Sequence, residues 1–246
     1  MFSFLKNHPF AVEAHFESSL VLTFAVPKEE LLSLIPECLQ LDTFQDHWAF
    51  IAVAMVQTKD LRPKGFPKFI GNDFFLIGYR VFVRYINNAG KRLRGLYILK
   101  SETDKIKMSF LGNIFTHYNY SSTDILQIKH ENTKEISSSK SDFAVKIDTS
   151  REEVKLPNAS PFANWKEARH FAGPLPFTFS YNQDTKEVLI IEGVRHNWIP
   201  IPLTVIDYRF SFLYSLNLIN PILANAFIIN NIPYHWKKGK TEKWKR

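Results

Sequence analysis

The sequence predicts an α+β fold that is mainly antiparallel β-structure, in which one curled sheet forms a closed or nearly closed barrel or cone. Two observations predict this class. Long segments rich in β-branched and aromatic residues are joined by short polar turns. Long helical crossovers between these segments are missing, which argues against a parallel sheet with helices on both faces.

The strand segments follow one another closely, apart from a polar segment at 131–151 that is expected to hold exposed edge strands. Segments 87–90 (NNAG) and 182–185 (NQDT) predict hairpin turns between strands. The predicted strands are residues 18–25, 39–44, 48–58, 74–87, 91–103, 107–111, 125–131, 143–148, 177–181, 187–194 and 204–208.

Three segments have helical signals. Segment 27–36 begins and ends with proline and carries two glutamates in its first turn. Ser160 and Pro161 predict an N-cap followed by a first-turn proline, and Gly173 lies just past the expected end of that helix. Segment 210–230 is long and apolar, but it is interrupted by Asn217, Asn220, Pro221 and Asn225, which are costly in lipid. It therefore predicts a buried or groove-lining helix and not a membrane span.

The composition predicts one domain spanning residues 1–246. Hydrophobic residues make up 45% of the chain, and no linker or internal repeat divides it. The single cysteine, Cys38, excludes an internal disulfide framework and is typical of a reducing compartment. Since the N-terminus also lacks a signal-peptide pattern, we expect a cytoplasmic protein.

The net charge of +7 is concentrated at the C-terminus, where residues 237–246 carry +5. No basic stripe upstream supports a nucleic-acid interface, so we expect a solvated, frayed tail and no nucleic-acid partner. Attachment to nucleic acid or lipid through this tail is the least favoured alternative. The remaining partner classes are a small-molecule ligand and a second copy of the chain.

The motifs of metal and nucleotide sites are missing from the sequence. It contains no CxxC pair, HExxH, P-loop, GxGxxG or GxSxG motif, and no two of its eight histidines have helical i, i+4 spacing. We therefore expect neither a metal nor a cofactor.

Segment 27–42 (PKEELLSLIPECLQLD) resembles the opening of the acetoacetate decarboxylase-like superfamily, with its short helix, its PEPLEID-type turn and the following strand. Three further segments are similar to a branch of that superfamily with no established activity, sometimes called YqjF-like: 78–85 (GYRVFVRY), 95–102 (GLYILKSE) and 231–239 (NIPYHWKKG). The resemblance covers most of the chain. It implies a barrel with an internal ligand cavity.

The decarboxylases of this superfamily use a lysine that forms a Schiff base. Segment 112–122 (GNIFTHYNYSS) resembles the stretch in which they carry a Gly-Arg-Glu start and a Tyr-Pro-Lys-Lys end. Matching Gly112 and Tyr118 to that glycine and tyrosine places the paired lysines on Tyr120 and Ser121. Neither side chain can condense with a ketone, so we expect the catalytic lysine pair to be absent.

Two other family positions also differ in this chain. The resemblance places the substrate-binding arginine near Glu17, which reverses the charge, and the pocket glutamate at either Asp60 or Asp73. Lys100, at the end of a predicted strand, is the alternative position for a relocated Schiff-base lysine.

Side chains in segment 78–85 are expected to alternate between the two faces of a strand. Arg80 and Phe82 then share one face, and Tyr79 lies on the other. A guanidinium inside a barrel would clamp a carboxylate or phosphate, whereas the alternative is a structural ion pair. Aromatic residues from Trp48 to Phe82 are expected to line the same cavity.

Tyr118 and Tyr120 share one face of their extended segment, with His117 opposite, and the sequence leaves open which face is inward. Tyr120 is the strongest candidate, because it stands at the presumed lysine site; the alternative is an aromatic ring that merely fills the space. Glu192 and His196 could form an acid–base pair, although the solvated end of a hairpin is the favoured interpretation.

Two functions follow from these candidates. The first is a binding protein that holds a small acidic or apolar metabolite in an aromatic-lined barrel. The second is an enzyme acting on a small carbonyl compound by acid–base chemistry without an imine, using Tyr120, Arg80 and either Glu192 or His196.

Overall fold

A computed structural model describes residues 3–150, 154–173, 175–196 and 198–245. Strands dominate the regular structure, as predicted. The strands are β1 (Val12–Pro27), β2 (Gln40–Leu41), β3 (Trp48–Pro63), β4 (Asn72–Ile86), β5 (Arg92–Thr103), β6 (Tyr120–Ser122), β7 (Leu126–Lys129), β8 (Thr133–Ser138), β9 (Phe143–Asp148), β10 (Phe177–Asn182), β11 (Glu187–Arg195), β12 (Ile201–Pro202), β13 (Val205–Phe210), β14 (Ile222–Trp236) and β15 (Lys240–Lys243). The helices are α1 (Ile106–Phe115), α2 (Trp165–Ala172), α3 (Ser211–Ser215) and the 3-10 helices Ser3–Asn7, Lys28–Leu34 and Lys68–Ile70.

Seven strands form a closed ring in the order β14, β1, β3, β4, β5, β10 and β11. The ring closes because β11 pairs with β14, where Gly193 lies opposite Trp236 and Arg195 opposite Tyr234. Neighbouring strands are antiparallel except β5 and β10, which are parallel. The predicted fold class, a mainly antiparallel sheet curled into a barrel, is confirmed.

A second sheet, in the order β13, β9, β8 and β7, covers part of the outer face of the ring. Leu22, Val53 and Ile77 point outward from β1, β3 and β4 and share a hydrophobic cluster with Phe143 and Phe210 of the second sheet. These three long strands are therefore buried on both faces, which explains their nearly continuous apolar sequences.

The predicted hairpin turns are present. Asn87 Oδ1 accepts hydrogen bonds from the backbone N–H groups of Ala89 and Lys91, and Gly90 has a φ of 74°. Asn182 Oδ1 accepts comparable bonds in the second turn. Each asparagine thus satisfies the backbone groups that the turn leaves unpaired.

The predicted strand at 107–111 is wrong, because these residues lie within α1. Met108 and Gly112 are buried on one side of this helix, while Ile106 and Phe110 are exposed on the other. Apolar residues on both sides remove the helical period, so the short segment could not be distinguished from a strand by its pattern.

The predicted helix at 210–230 is also wrong. Only Ser211–Ser215 is helical, and the remainder leads through Asn217 and Asn220, both with positive φ, into β14. The strand β14 pairs with β1 along nearly its whole length, so a long-range partner overrides the local pattern. None of the helices in the described part of the chain is long and apolar enough to span a membrane.

The second predicted helix exists but begins later than expected. Asn164, and not Ser160, is the N-cap of α2, and its side chain accepts a hydrogen bond from Glu167 N at 3.0 Å. Ser160 Oγ instead donates to Ala224 O of β14 at 2.7 Å. Gly173 follows the last helical residue, as predicted.

The C-terminal tail is not frayed between Lys240 and Lys243, which pair with β11 as strand β15. Glu242 is buried there and accepts hydrogen bonds from Asn88 N at 2.9 Å and Lys240 Nζ at 2.7 Å. The basic residues therefore flank a buried carboxylate that anchors the strand. Charge counting alone could not find this pairing.

Asp124 connects the second sheet to the loop that follows β6. Its carboxylate accepts hydrogen bonds from Ser138 Oγ at 2.6 Å, Lys140 N at 2.8 Å and Ser139 N at 3.1 Å. These bonds, with that of Ser138 the strongest, lower the pKa of Asp124 to about 2 from its ordinary value of 3.8. A carboxylate whose pKa is lower in the folded state than in the unfolded state stabilises the fold at pH values above its unfolded-state pKa. This stabilisation is lost as the pH falls through the folded-state pKa.

We expect Asp124→Asn to lower the urea midpoint at pH 7, because an amide replaces the charged acceptor of three hydrogen bonds. The dependence of the midpoint on pH should also become weaker as the pH falls from about 4 towards 2. Urea unfolding at a series of pH values measures both effects. Asp184→Asn, in an exposed hairpin turn, is the control; an unchanged profile for Asp124→Asn would contradict the assignment.

Candidate functional site

The closed ring encloses a cavity of about 410 Å³, to which all seven of its strands contribute side chains. The wall is mostly apolar. Ala52 and Ala54 project inward from β3, and Phe74 and Leu76 project inward from β4. Because the inward residues of β3 are small, the opposing walls do not meet and an internal space remains.

One end of the cavity is filled by aromatic residues beneath α2. Phe50 stacks on Phe162 with ring centroids 5.5 Å apart and contacts Phe82 at 5.8 Å. Ala168 and Ala172 of α2 pack against the same cluster. This end is therefore closed to solvent by packed side chains.

Arg80 projects into the cavity from β4. Its Nε has no hydrogen-bond partner, and no carboxylate among the described residues forms an ion pair with it. Burial lowers the pKa of Arg80, but an arginine stays protonated at any physiological pH. The side chain is thus a buried cation whose hydrogen-bonding capacity is not used by its neighbours.

Three tyrosines, Tyr118, Tyr120 and Tyr234, lie close enough to Arg80 to interact with it electrostatically. Burial raises the pKa of Tyr118 to about 12 and also raises the pKa values of Tyr120 and Tyr234. All three phenols are therefore neutral hydrogen-bond donors at physiological pH. The hydroxyl of Tyr118 lies near the side chain of Thr178, another residue of the cavity wall.

A second arginine, Arg195, enters the cavity from β11 beside the closing pair of strands. Its guanidinium lies over the ring of Trp198 at 4.6 Å and near the ring of Tyr234 at 5.9 Å. The indole Nε1 of Trp198 is buried without a partner. Sequence reasoning missed Arg195, although alternation from Gly193 would have placed it on the inner face of its strand.

The cavity wall has a strongly positive character. Among the described residues that form it, there are three arginines and no aspartate, glutamate or lysine. Arg62 is neutralised by Glu13 at 2.7 Å. Arg80 and Arg195 have no such counter-ion in the described part of the chain, so the wall favours an anion.

Local structure fixes the position of the tyrosines. Asn113 of α1 exchanges two hydrogen bonds with the backbone of Tyr120, at 2.8 and 2.9 Å, which clamps β6 against the helix. A Cβ at Gly112 would overlap the ring of Tyr120, and one at Gly193 would overlap the hydroxyl of Tyr234. Two glycines thus make room for two of the phenols.

The structure places Arg80, Phe82, Tyr118 and Tyr120 in the cavity wall. Trp48 lies outside it. Trp48 packs instead against the aromatic cluster beneath α2.

Three other candidates also lie outside the cavity wall. Since Gly193 and Arg195 face inward, alternation turns Glu192 outward, where it pairs with Lys237 at 2.9 Å. His196 is exposed beyond the end of the same strand, so the proposed acid–base pair does not face the cavity. His117 lies in the loop before β6, and burial lowers its pKa.

A β-bulge in β5 determines the direction of Lys100. Tyr79 lies opposite Lys100 while Arg80 lies opposite Ile98, so Leu99 is an extra residue in the ladder. The bulge places Lys100 outside the barrel, where its Nζ pairs with Glu102 at 2.9 Å. Simple alternation from Ile98 would have placed this lysine inside.

The other positions that the family resemblance indicated are also outside the cavity. Glu17 is an exposed extra residue in the pairing of β1 with β3. Asp73 pairs with Lys59 at 3.1 Å and accepts a hydrogen bond from the backbone N–H of Asp60. Neither aspartate lies in the wall.

We expect Gly112→Ala to destabilise the fold by about 1–3 kcal/mol, because the new methyl group overlaps the ring of Tyr120. The same change in a Tyr120→Ala background should stabilise the fold by up to about 1 kcal/mol, because alanine favours the helix more than glycine does. Urea unfolding of the wild type, the two single variants and the double variant measures the coupling. Equal effects in the two backgrounds would show that Gly112 does not hold the space for this ring.

Solved structures share this fold at low sequence identity. The acetoacetate decarboxylase of Legionella pneumophila has a TM-score of 0.65 and 10% identity, and the alignment covers 95% of this chain and 88% of that chain. An acetoacetate decarboxylase-like enzyme from Sphingomonas wittichii has a TM-score of 0.59 and 9% identity, with 98% and 95% covered. The enduracididine biosynthesis enzyme MppR complexed with pyruvate has a TM-score of 0.59 and 9% identity, with 95% and 90% covered.

These likenesses confirm the acetoacetate decarboxylase-like fold that the sequence resemblance implied. No curated protein is detectably similar in sequence. The model of the DUF2071 family, described as "Uncharacterized conserved protein", matches residues 13–233. Because this match spans most of the chain, the protein belongs to the DUF2071 family.

Proposed function

We propose that this protein binds a small, mostly apolar anion inside the barrel, with Arg80 as the anchor. The observation that carries the proposal is the buried guanidinium of Arg80, which has an unpartnered Nε and faces a wall without acidic residues in the described part of the chain. A buried charge without a counter-ion is costly to the fold. An anionic ligand would remove that cost.

A carboxylate suits the arrangement best. The guanidinium presents donors in a planar fork that matches two carboxylate oxygens, and the neutral phenols of Tyr118 and Tyr120 add further donors. The rest of the wall is mostly apolar, and the cavity volume of about 410 Å³ is in the range of small-molecule sites. The ligand that fits is therefore a carboxylic acid with an apolar body.

A second candidate function is an enzyme that acts on a small carbonyl compound without an imine. Its support is His8, a buried residue of the cavity wall whose Nδ1 has no partner among the described residues. Burial lowers the pKa of His8, so the imidazole is neutral and able to accept a proton. If the wild-type protein converts a keto acid and His8→Gln does not, that result would favour this candidate over binding alone.

We expect at least one straight-chain monocarboxylate between butanoate and decanoate to raise the thermal unfolding temperature. The alcohol of the same chain length should have no such effect. A ligand at one hundred times its dissociation constant stabilises a protein by about 2.7 kcal/mol. Arg80→Met should abolish this stabilisation. Without ligand, Arg80→Met should be neutral or stabilising by about 1–4 kcal/mol, because it removes an unpaired buried charge.

Arg92→Met is the matched control, because Arg92 is exposed on β5 and lies outside the cavity wall. It should leave the response to the acids unchanged. Stabilisation by the acids that persists in Arg80→Met, or equal stabilisation by the alcohols, would refute the anchoring role.

We also expect no Schiff base with acetoacetate. Tyr120 and Ser121 stand where the resemblance places the paired lysines, the described wall contains no lysine, and Lys100 is held outside by Glu102. Incubation with acetoacetate and borohydride, followed by mass spectrometry of the peptides, should detect no reduced lysine adduct. A stoichiometric adduct on Lys100 or on any other lysine would overturn this expectation.

A further inference from the structure

The loop after β3 is unusually exposed for its apolar content. Residues 64–70 (KGFPKFI) are all exposed, and they include Phe69, which is 86% exposed, and Phe66, which is 56% exposed. Two phenylalanine rings therefore project into solvent from a short loop. Contiguous exposed apolar groups of this kind mark interaction surfaces.

A second exposed apolar surface lies on α1. Ile106 and Phe110 are one helical turn apart and are 78% and 66% exposed, while Met108 and Leu111 contribute to the cavity wall. The helix thus separates the cavity from solvent and is apolar on both sides.

Both surfaces flank the mouth of the cavity. Phe10 is the most exposed of the described wall residues, at 38%, and we take the mouth of the cavity to lie beside it. On one side, Lys64 N donates to the backbone oxygen of Ala11 at 2.9 Å, so the loop begins beside Phe10. On the other side, the ring of Phe10 contacts that of Phe115 in α1 at 5.3 Å.

The charge around these apolar side chains is positive. Lys64 and Lys68 interrupt the loop, and Lys107 lies beside Ile106. No carboxylate among the described residues forms an ion pair with any of these three lysines.

Two of the neighbouring carboxylates are paired with other cations, whereas Asp60, whose backbone lies against Gly71, forms no ion pair among the described residues. Asp73 pairs with Lys59 at 3.1 Å, and Asp104 lies 3.5 Å from Lys105. The exposed end of the barrel therefore combines apolar tips with lysines that have no counter-ion in the described structure.

We infer that this end of the barrel docks onto an anionic phospholipid membrane. Aromatic tips insert at the boundary between headgroups and acyl chains, and the flanking lysines bind the acidic headgroups. Exposed rings on two separate elements, the loop and the helix, fit a deformable lipid surface better than a rigid protein groove. The mouth would then face the membrane, which gives an apolar acid a route into the cavity, although docking itself does not depend on the proposed ligand.

Co-sedimentation with vesicles tests this inference. The protein should bind vesicles in which about one third of the phosphatidylcholine is replaced by phosphatidylserine, and bind pure phosphatidylcholine at least tenfold more weakly. Raised salt should weaken binding, because the headgroup attraction is screened. Absence of binding to the anionic vesicles would overturn the inference.

Paired variants identify the surface. Lys64→Gln with Lys68→Gln should weaken binding about twenty-five-fold, since each lysine near an anionic surface contributes about fivefold to the affinity. Phe66→Ser with Phe69→Ser should also abolish most binding while leaving thermal unfolding unchanged, because both rings are exposed. An undiminished affinity in either double variant would overturn the assignment.

The matched controls exchange the same residue types elsewhere. Lys129→Gln with Lys166→Gln removes two exposed lysines, and Leu126→Ser with Ile206→Ser removes two exposed apolar side chains of the second sheet. Both should bind as the wild type does, and equal loss in the controls would overturn the inference. A different outcome is a wild-type protein that does not bind vesicles but self-associates, and that loses self-association in Phe66→Ser with Phe69→Ser. That outcome would assign the surface to a second copy of the chain instead.

Arg80→Met separates docking from ligand binding. It should bind anionic vesicles with wild-type affinity whether or not the cavity takes up an acid. Docking by a protein that binds no acid would leave the membrane inference standing and remove the proposed function. Acid binding without docking would do the reverse.

Discussion

The pairing of β11 with β14 is the constraint on which the rest of the structure depends. It converts a curled sheet into a closed ring and thereby creates an inside. The same short pairing brings Arg195 opposite Tyr234, so closure of the barrel and assembly of one side of the cavity are a single event. Gly193 permits it, because any larger residue would displace the hydroxyl of Tyr234.

The two faces of the long strands pack differently, and this difference explains why a cavity remains inside the ring. The outer faces of β1, β3 and β4 pack against the second sheet, with Phe24, Tyr79 and Phe210 among the buried rings. This outer core supplies apolar burial that the inner face does not have to provide. The small inward residues Ala52 and Ala54 then leave space in place of a packed interior.

That space borders several of the buried polar atoms that have no partner among the described residues. Arg80 Nε and Nε1 of Trp198 are both buried without partners among the described residues, and both residues border the same cavity. Buried polar groups in proteins are nearly always hydrogen-bonded. Their convergence on one cavity is the physical basis for proposing a ligand, and the positive charge of the wall indicates that this ligand is an anion. On the outer surface, the exposed apolar side chains around the mouth likewise lack a partner within the described structure.

The sequence by itself determined the strand-rich class, the asparagine-based turns and the alternation that gives Arg80 and Phe82 one common face, because these depend on neighbours within a few residues. Only the tertiary structure decided that segment 222–236 is a strand, since its partner β1 is two hundred residues away in the chain. The direction of Lys100 depended on one extra residue in β5, which reverses every side chain after it and leaves no mark in the composition. Arg195 and Tyr234 met only when the ring closed, because pairing between distant strands is set by the whole sheet and not by local pattern.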